Sequence, residues 1–167
     1  GALAACVAVA SVGVSTTDIT IDNIERTYID DATVGSDDLT LSATSTPDIE
    51  ALAVATSIAV SIGGAGAGAE ATATVKSDVE ARIGSGGDIT ATTVSLAANS
   101  TDDVKAESYG VSAGMVSIGA AVANVETRST TQAHVTDAIV DATDLSIDAM
   151  GDGKVNAAVT SIAGGLG

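Results

Sequence analysis

Aromatic side chains are nearly absent from this chain: it has no Trp and no Phe, and Tyr28 and Tyr109 are its two Tyr. A core made of Ala, Val, Ile and Leu is thin, because such side chains fill little space between layers. That suits two sheets lying close together over a long distance and suits a deep globular centre poorly. Basic residues are scarce too, six Lys plus Arg against 22 Asp plus Glu, for a net charge of −16. Nucleic-acid recognition needs a basic footprint and is excluded, as is docking onto anionic lipid. The acids are spread along the chain, which describes a solvated, self-repelling surface. A single cysteine, Cys6, excludes an internal disulfide. Its apolar run, Ala4-Ala5-Cys6-Val7-Ala8-Val9, predicts a buried, inert thiol. No apolar stretch reaches membrane-spanning length free of Gly, Ser or Thr, so no transmembrane helix and no membrane insertion are expected. Gly1-Ala2-Leu3 lacks the basic region of a signal peptide.

What the chain does have is an apolar content of 46%, enough to order it, and a repeat. Leu39-Thr40-Leu41-Ser42-Ala43, five residues, and Ile49-Glu50-Ala51 form one copy. Val94-Ser95-Leu96-Ala97-Ala98 with Val104-Lys105-Ala106 forms a second, and Leu145-Ser146-Ile147-Asp148-Ala149 with Val155-Asn156-Ala157 a third. The copies begin 55 and then 51 residues apart. Val60-Ser61-Ile62-Gly63 matches Val116-Ser117-Ile118-Gly119, and Ser11-Val12-Gly13 fits the same place. In that register Tyr28, Arg82 and His134 are equivalent. The chain is thus one continuous repeat array: 1–38 the late part of a repeat, 39–93 and 94–144 two full repeats, and 145–167 the early part of another. Both ends fall in apolar, strand-like sequence without polar caps, so end-to-end stacking with copies of itself, or with further repeats of the same chain, is expected.

Period-two alternation at Leu39, Leu41, Ala43 and at Val94, Leu96, Ala98 predicts strands with one face in a core. Abundant Val, Ile and Thr favour strands, and frequent Gly without helical charge pairing argues against the helix that Ala alone would suggest. The segments 44–48, 99–103 and 150–154 read as turns in one slot, and 35–38 and 84–88 as turns in a second. In 49–74 and 104–127 apolar residues fall on both parities, which predicts burial on both faces. Gly63, Gly64, Gly66 and Gly68 lack side chains and predict close approach of another backbone. The fold expected is all-β, an elongated repetitive β-solenoid with Leu41, Leu96 and Ile147 in one ladder; the alternative is an array of antiparallel β-sandwich modules.

Few residues point to chemistry. His134 is the one histidine, so neither a His-rich metal site nor a histidine pair can form within the chain. Its variable equivalents mark an outward-facing surface slot, not a catalytic base. Gly63–Gly68 lacks the Lys-Ser/Thr and helix of a phosphate loop. Met115 and Met150 are expected as gap-fillers. Thr72-Ala73-Thr74 raises ice binding, but its repeat-equivalents preserve no Thr ladder. No catalytic, cofactor-binding or metal-ligating residue is assigned, and no enzyme is expected. The one cofactor to weigh is calcium, through Asp37, Asp38, Asp88, Asp102, Asp103 and Asp152 in or beside turns. No calcium-loop motif is complete there, and Asp is favoured in turns regardless.

The units Leu-x-Leu-x-Ala and Val-Ser-Ile-Gly, followed by an Ala-x-Ile strand and a Gly/Asp turn, resemble the β-strand repeats of very large bacterial surface and secreted proteins. These are the filamentous-haemagglutinin-type exoproteins and leukotoxin-like repeat proteins. The resemblance covers nearly the whole chain and carries over no catalytic residue. It implies export, long β-solenoids and roles in adhesion, surface layers or filaments. The expectation is therefore an extracellular or cell-surface structural scaffold, the repeating shaft of a bacterial filament or large adhesin. The alternative is an adhesin or calcium-binding module that recognises a host or neighbouring-cell surface partner.

Overall fold

The computed structural model describes residues 1–60 and 63–165. They form eight strands and, among the described residues, no helix: β1 (Ala2–Ala8), β2 (Ser11–Ile29), β3 (Thr33–Ser45), β4 (Asp48–Ala59), β5 (Gly64–Ile83), β6 (Asp88–Gly114), β7 (Val116–Val135) and β8 (Ile139–Gly165). Strands β2, β5 and β7 make one sheet in that order; β1, β3, β4, β6 and β8 make the other. Every pair is parallel. Antiparallel sandwich modules, the alternative architecture, are thereby excluded for the described residues.

The pairings define how the chain winds. It runs along the three-strand sheet, turns a corner, returns along the five-strand sheet and turns again, so that one repeat makes one coil. Leu41 lies beside Leu96 and Leu96 beside Ile147, the ladder expected from alternation. Tyr28, Arg82 and His134 likewise fall in one column. Parallel neighbours one coil apart give each inner strand hydrogen-bonding partners on both sides.

Inward residues from the two sheets meet in a thin core with two apolar clusters. One gathers Ala51, Ala53, Ala71, Ala73, Val75 and Val104; the other gathers Leu41, Val79, Ile83, Ile89, Val94 and Leu96. The small side chains let the sheets lie close without aromatics. Burial on both faces is not found. Ala51, Ala53 and Ala55 are buried, but Glu50 and Ile58 on the other face of β4 are exposed. The apolar residues of that second parity make an apolar outer surface in place of a second core.

The turn slots also differ from expectation. Residues 99–103 and 150–154 continue through β6 and β8, and 35–38 lies within β3. Only the first coil breaks, at 46–47, where Pro47 has no N–H for the ladder; its carbonyl still accepts from the Asp103 N–H at 3.0 Å. The true corners are 30–32, 84–87 and 136–138. Each holds one left-handed residue: Asp31 (φ 49°), Gly86 (φ 75°) and Asp137 (φ 52°). Asp and Gly are the residues that tolerate this conformation. Adjacent corners are hydrogen-bonded, Asp31 N–H to Ser85 O at 2.9 Å and Gly86 N–H to Asp137 O at 3.1 Å.

At the opposite corner the expected match of 60–63 to 116–119 fails. Ile58 pairs with Ala113, 55 residues on, but Gly64 pairs with Val116, 52 residues on. The three extra residues are taken up in this corner, and Val116–Gly119 lies beside Gly64–Ala67. Ser61 and Ile62 lie outside the described residues. The match of Ser11-Val12-Gly13 to Ser117-Ile118-Gly119 holds through Ala65–Ala67. Close backbone approach is found at Gly63, where a Cβ would lie 1.3 Å from the Val9 carbonyl oxygen. At Gly68, whose added Cβ would meet nothing within 4 Å, the strand faces outward and the expectation does not hold.

Candidate functional site

A polar seam runs between the two apolar clusters. Alternation points Ser77 of β5 inward between Val75 and Val79, and points Ser100 and Asp102 of β6 inward between Ala98 and Val104. Asp102 is 3% exposed. The Ser77 and Ser100 hydroxyls each donate to its Oδ1 at 3.2 Å, and Ser129, one coil further on, donates to Oδ2. Among the described residues no cation pairs with it; hydroxyl donors satisfy the buried charge instead. One coil earlier the seam consists of Asn23 and Ser45, whose side chains bond at 2.8 Å. One coil later Gly151 and Gly153 take the places of Ser100 and Asp102. Their missing side chains leave an open recess of about 340 Å³, walled by Ser100, Asp102, Thr127, Ser129 and Thr131.

Charge is patterned on the outer faces. Of the six Lys and Arg, Arg26, Lys76, Arg82 and Arg128 lie on the outer face of the three-strand sheet. Arg26 reaches across a coil step to Asp78 at 2.5 Å and Glu80 at 3.2 Å, and Arg82 reaches back to Asp30 at 2.5 Å. Arg82 also stacks over Tyr28, 5.2 Å from the ring centre. On the other sheet Lys105 bridges Glu107 at 2.9 Å and Glu50, one coil away, at 3.3 Å. Those two carboxylates raise the Lys105 pKa above 10.5, chiefly through the hydrogen bond to Glu107 and then that to Glu50. Such outward ladders are solvated pairs, small one by one but ordered along the coils.

The third feature is the state of the last coil. Val94, Leu96 and Val104 in β6 are 0% exposed. Their neighbours in β8, Leu145, Ile147 and Val155, stand at the same register positions and are 50%, 41% and 55% exposed. The inner face of β8 and the unpaired edges of β7 and β8 are open to a further coil. A separate apolar surface, with Val12, Val14, Ile58, Val60, Met115 and Ile118 exposed, surrounds the corner between β4 and β5.

Residues weighed for chemistry are scattered. His134 faces outward, its Nε2 3.7 Å from Glu80 Oε1. Asp37 and Asp38 lie exposed on β3, Asp88 opens β6, and Asp103 faces outward while Asp102 is internal. Among the described residues no group of three or more His, Cys, Asp or Glu side chains converges, so the calcium expectation finds no shared site. Thr72 and Thr74 stand in columns with Asp18 and Asn124, and with Thr20 and Glu126, not in a Thr ladder. Met115 and Met150 are exposed, not gap-fillers, because one sits at a corner and the other on the outward face of β8. Cys6 is half-buried, since β1 has a neighbouring strand on one side only. No described helix is long and apolar enough to cross a membrane. The internal Asp102 was missed at the sequence level because Asn99–Asp103 reads as a turn; the alternation continuing through Ala98, Ser100, Asp102 and Val104 is the signal that finds it.

No protein-family model matches this chain, and neither the curated proteins nor the solved structures contain a match to it.

Proposed function

We propose that this chain is a length of β-solenoid shaft in an extracellular structural scaffold, of the kind used in bacterial surface filaments and large adhesins, and that it works without catalysis. The observation that carries the reading is the contrast between β6 and β8. Positions that the next coil buries completely in β6 are about half exposed in β8, and they are aliphatic in both: Val94, Leu96 and Val104 against Leu145, Ile147 and Val155. Exposed apolar surface backed by unpaired strand edges is a surface built to be covered. A further coil supplies both the apolar contact and the backbone partners, whether it comes from more repeats of the same chain or from another molecule. The function is then mechanical: backbone ladders and a thin aliphatic core hold a rod, and the acidic surface keeps neighbouring rods apart.

Cryo-electron microscopy of the native material tests this. Fibres with strands across the axis and a layer spacing of about 4.8 Å are expected. Compact separate particles would refute the shaft.

A further inference from the structure

Gly66 and Gly68 have no reason within the chain to be glycine. Both face outward on β5, the middle strand of the three-strand sheet. Neither has a positive φ. A Cβ on Gly66 would make ordinary contact with Val12 at 3.8 Å, and one on Gly68 would meet nothing within 4 Å. Glycine weakens a strand interior that a β-branched residue would strengthen. The residues beside them carry side chains: Val12 and Ile118 flank Gly66, and Val14 and Ala120 flank Gly68. The result is an apolar slot one strand wide, with a volume of about 210 Å³ where Gly68 floors it between Val14 and Val122. Because β5 is paired on both sides, further coils would leave the slot as it is.

We propose that the slot receives Val12 and Val14 of a second copy, in a side-by-side pair of rods related by a two-fold axis that runs along the strands between β2 and β5. This goes beyond the shaft reading, which concerns the coils along one rod.

Such an axis keeps the strand direction and reverses the rod. Each outward residue of β2 then faces, in the partner copy, the β5 residue that it already neighbours in its own sheet. A two-fold interface needs a self-complementary patch, and a ridge beside a slot is one. Val12 and Val14 fall on Gly66 and Gly68. Asp22 falls on Lys76 and Arg26 on Glu80, opposite charges in both. Thr16 falls on Glu70 as a hydroxyl donor, and Tyr28 falls on Arg82. Ile24 against Asp78 is the mismatch. Among the described residues neither Asp22 nor Lys76 makes an ion pair within its own chain, so both are available to the partner.

Other axes along the strands fail on charge. An axis on the β2 row sets Asp22 against Asp22, and one on the β5 row sets Lys76 against Lys76. An axis between β5 and β7 sets Lys76 against Arg128. Like charges facing each other disfavour all three. Four of the six Lys and Arg stand on this outer face, so an acidic rod can approach its like there. The remaining faces stay acidic, which stops the assembly at pairs. Anionic lipid finds no basic rim at the slot, whose bordering charge is Glu70.

Sedimentation velocity of the 167-residue chain over a concentration series tests the pair. The wild type is expected to form dimers. Gly68→Val fills the slot and should raise the dimer dissociation constant by about tenfold, as overpacking does in a fitted interface. The same substitution should keep or raise the urea midpoint of the separate chain, because Val suits an outward strand position. Loss of the dimer then cannot come from unfolding. Lys76→Glu turns two symmetric pairs repulsive and should weaken the dimer by about tenfold as well. Asp22→Lys added to Lys76→Glu restores opposite charges and should restore the dimer. A wild type that is monomeric at every concentration, a Gly68→Val chain that associates like the wild type, or no rescue of Lys76→Glu would each overturn the pair. Flotation with phosphatidylcholine vesicles that the wild type shows and Gly68→Val loses would assign the slot to lipid and overturn it too. The shaft reading survives all of these failures, since the layer spacing of native fibres tests it separately.

Discussion

Asp102 on β6 and Ser129 on β7 are hydrogen-bonded across the core, tying the five-strand sheet of one coil to the three-strand sheet of the next. Ser77 and Ser100 complete the shell around the same carboxylate. Removing the acceptor strands the buried Ser77 and Ser100 hydroxyls, while Ser129 stands at the open recess. Asp102→Ala is therefore expected to destabilise the chain by about 2 kcal/mol. Asp102→Asn, which keeps an acceptor oxygen, should cost less. Urea denaturation followed by far-UV circular dichroism reads both. Equal stability of Asp102→Ala and wild type would show that the seam contributes nothing.

The ladder of Leu41, Leu96 and Ile147 offers an internal control, since similar side chains occupy one register position in different surroundings. Leu96 is fully enclosed, whereas Ile147 is 41% exposed. Leu96→Ala leaves a cavity and is expected to cost about 2–5 kcal/mol. Ile147→Ala, measured on the unassembled chain, should cost under about 1 kcal/mol because little burial is lost. Urea midpoints of the two variants beside the wild type check this. Equal costs would mean that the register position, and not the burial around it, sets the contribution of these side chains.

The ladder was legible in the sequence because period-two alternation survives in all three copies at Leu39–Ala43, Val94–Ala98 and Leu145–Ala149. So was the column of Tyr28, Arg82 and His134, which depends only on the spacing between repeats. Continuous strands through Asn99–Asp103 and Met150–Lys154 were not legible. Asn, Ser, Asp and Gly favour turns through local hydrogen bonds and backbone freedom, and here tertiary context overrides that preference. Inward, Asp102 accepts from Ser77 and Ser129 of the facing sheet and from Ser100 on its own strand, and Gly153 needs only to continue a ladder against Asp102. The corner at 60–63 misled for a different reason. Val-Ser-Ile-Gly falls at this corner as 60–63 but on β7 as Val116–Gly119, and the side-chain pattern alone cannot say whether extra residues lie before or after the repeated motif. The recess and the charged columns themselves were legible only after the coils were stacked, since each is made of residues about fifty positions apart.

Lys105 gives a pH dependence with a definite sign. Glu107 and Glu50 hold its pKa above 10.5 in the folded chain. A raised folded pKa means that the group stabilises fully at pH below its unfolded value and loses that contribution as pH rises through the folded value. The contribution belongs to an exposed pair and is small. Titration of the Lys105 ε-methylene signal by NMR should give a midpoint above 10.5 in the wild type. Glu107→Gln should lower it more than Glu50→Gln, because the bond to Glu107 is the larger cause. An unchanged midpoint in Glu107→Gln would remove the assignment.

Ser108 and Ser112 on β6, like Ser15 on β2, are buried with hydroxyls that have no hydrogen-bond partner. The thin Ala-rich half of the core leaves them facing methyl groups, so each carries a desolvation cost without a compensating bond. Neighbouring coils show what fits there better: Ala53 lies beside Ser108 on one side and Val159 on the other, and Ala163 lies beside Ser112. Replacing an orphaned hydroxyl by hydrogen removes the cost and leaves almost no cavity. Ser108→Ala is expected to stabilise the chain by about 1 kcal/mol. Ser57→Ala should act in the opposite direction, because the Ser57 hydroxyl bonds to both the Ser11 hydroxyl and the Ser11 carbonyl. Thermal melts of the two variants beside the wild type decide the matter. If both substitutions shift the midpoint the same way, hydrogen-bond satisfaction is not what separates these serines, and the serine content of the thin core reflects packing alone.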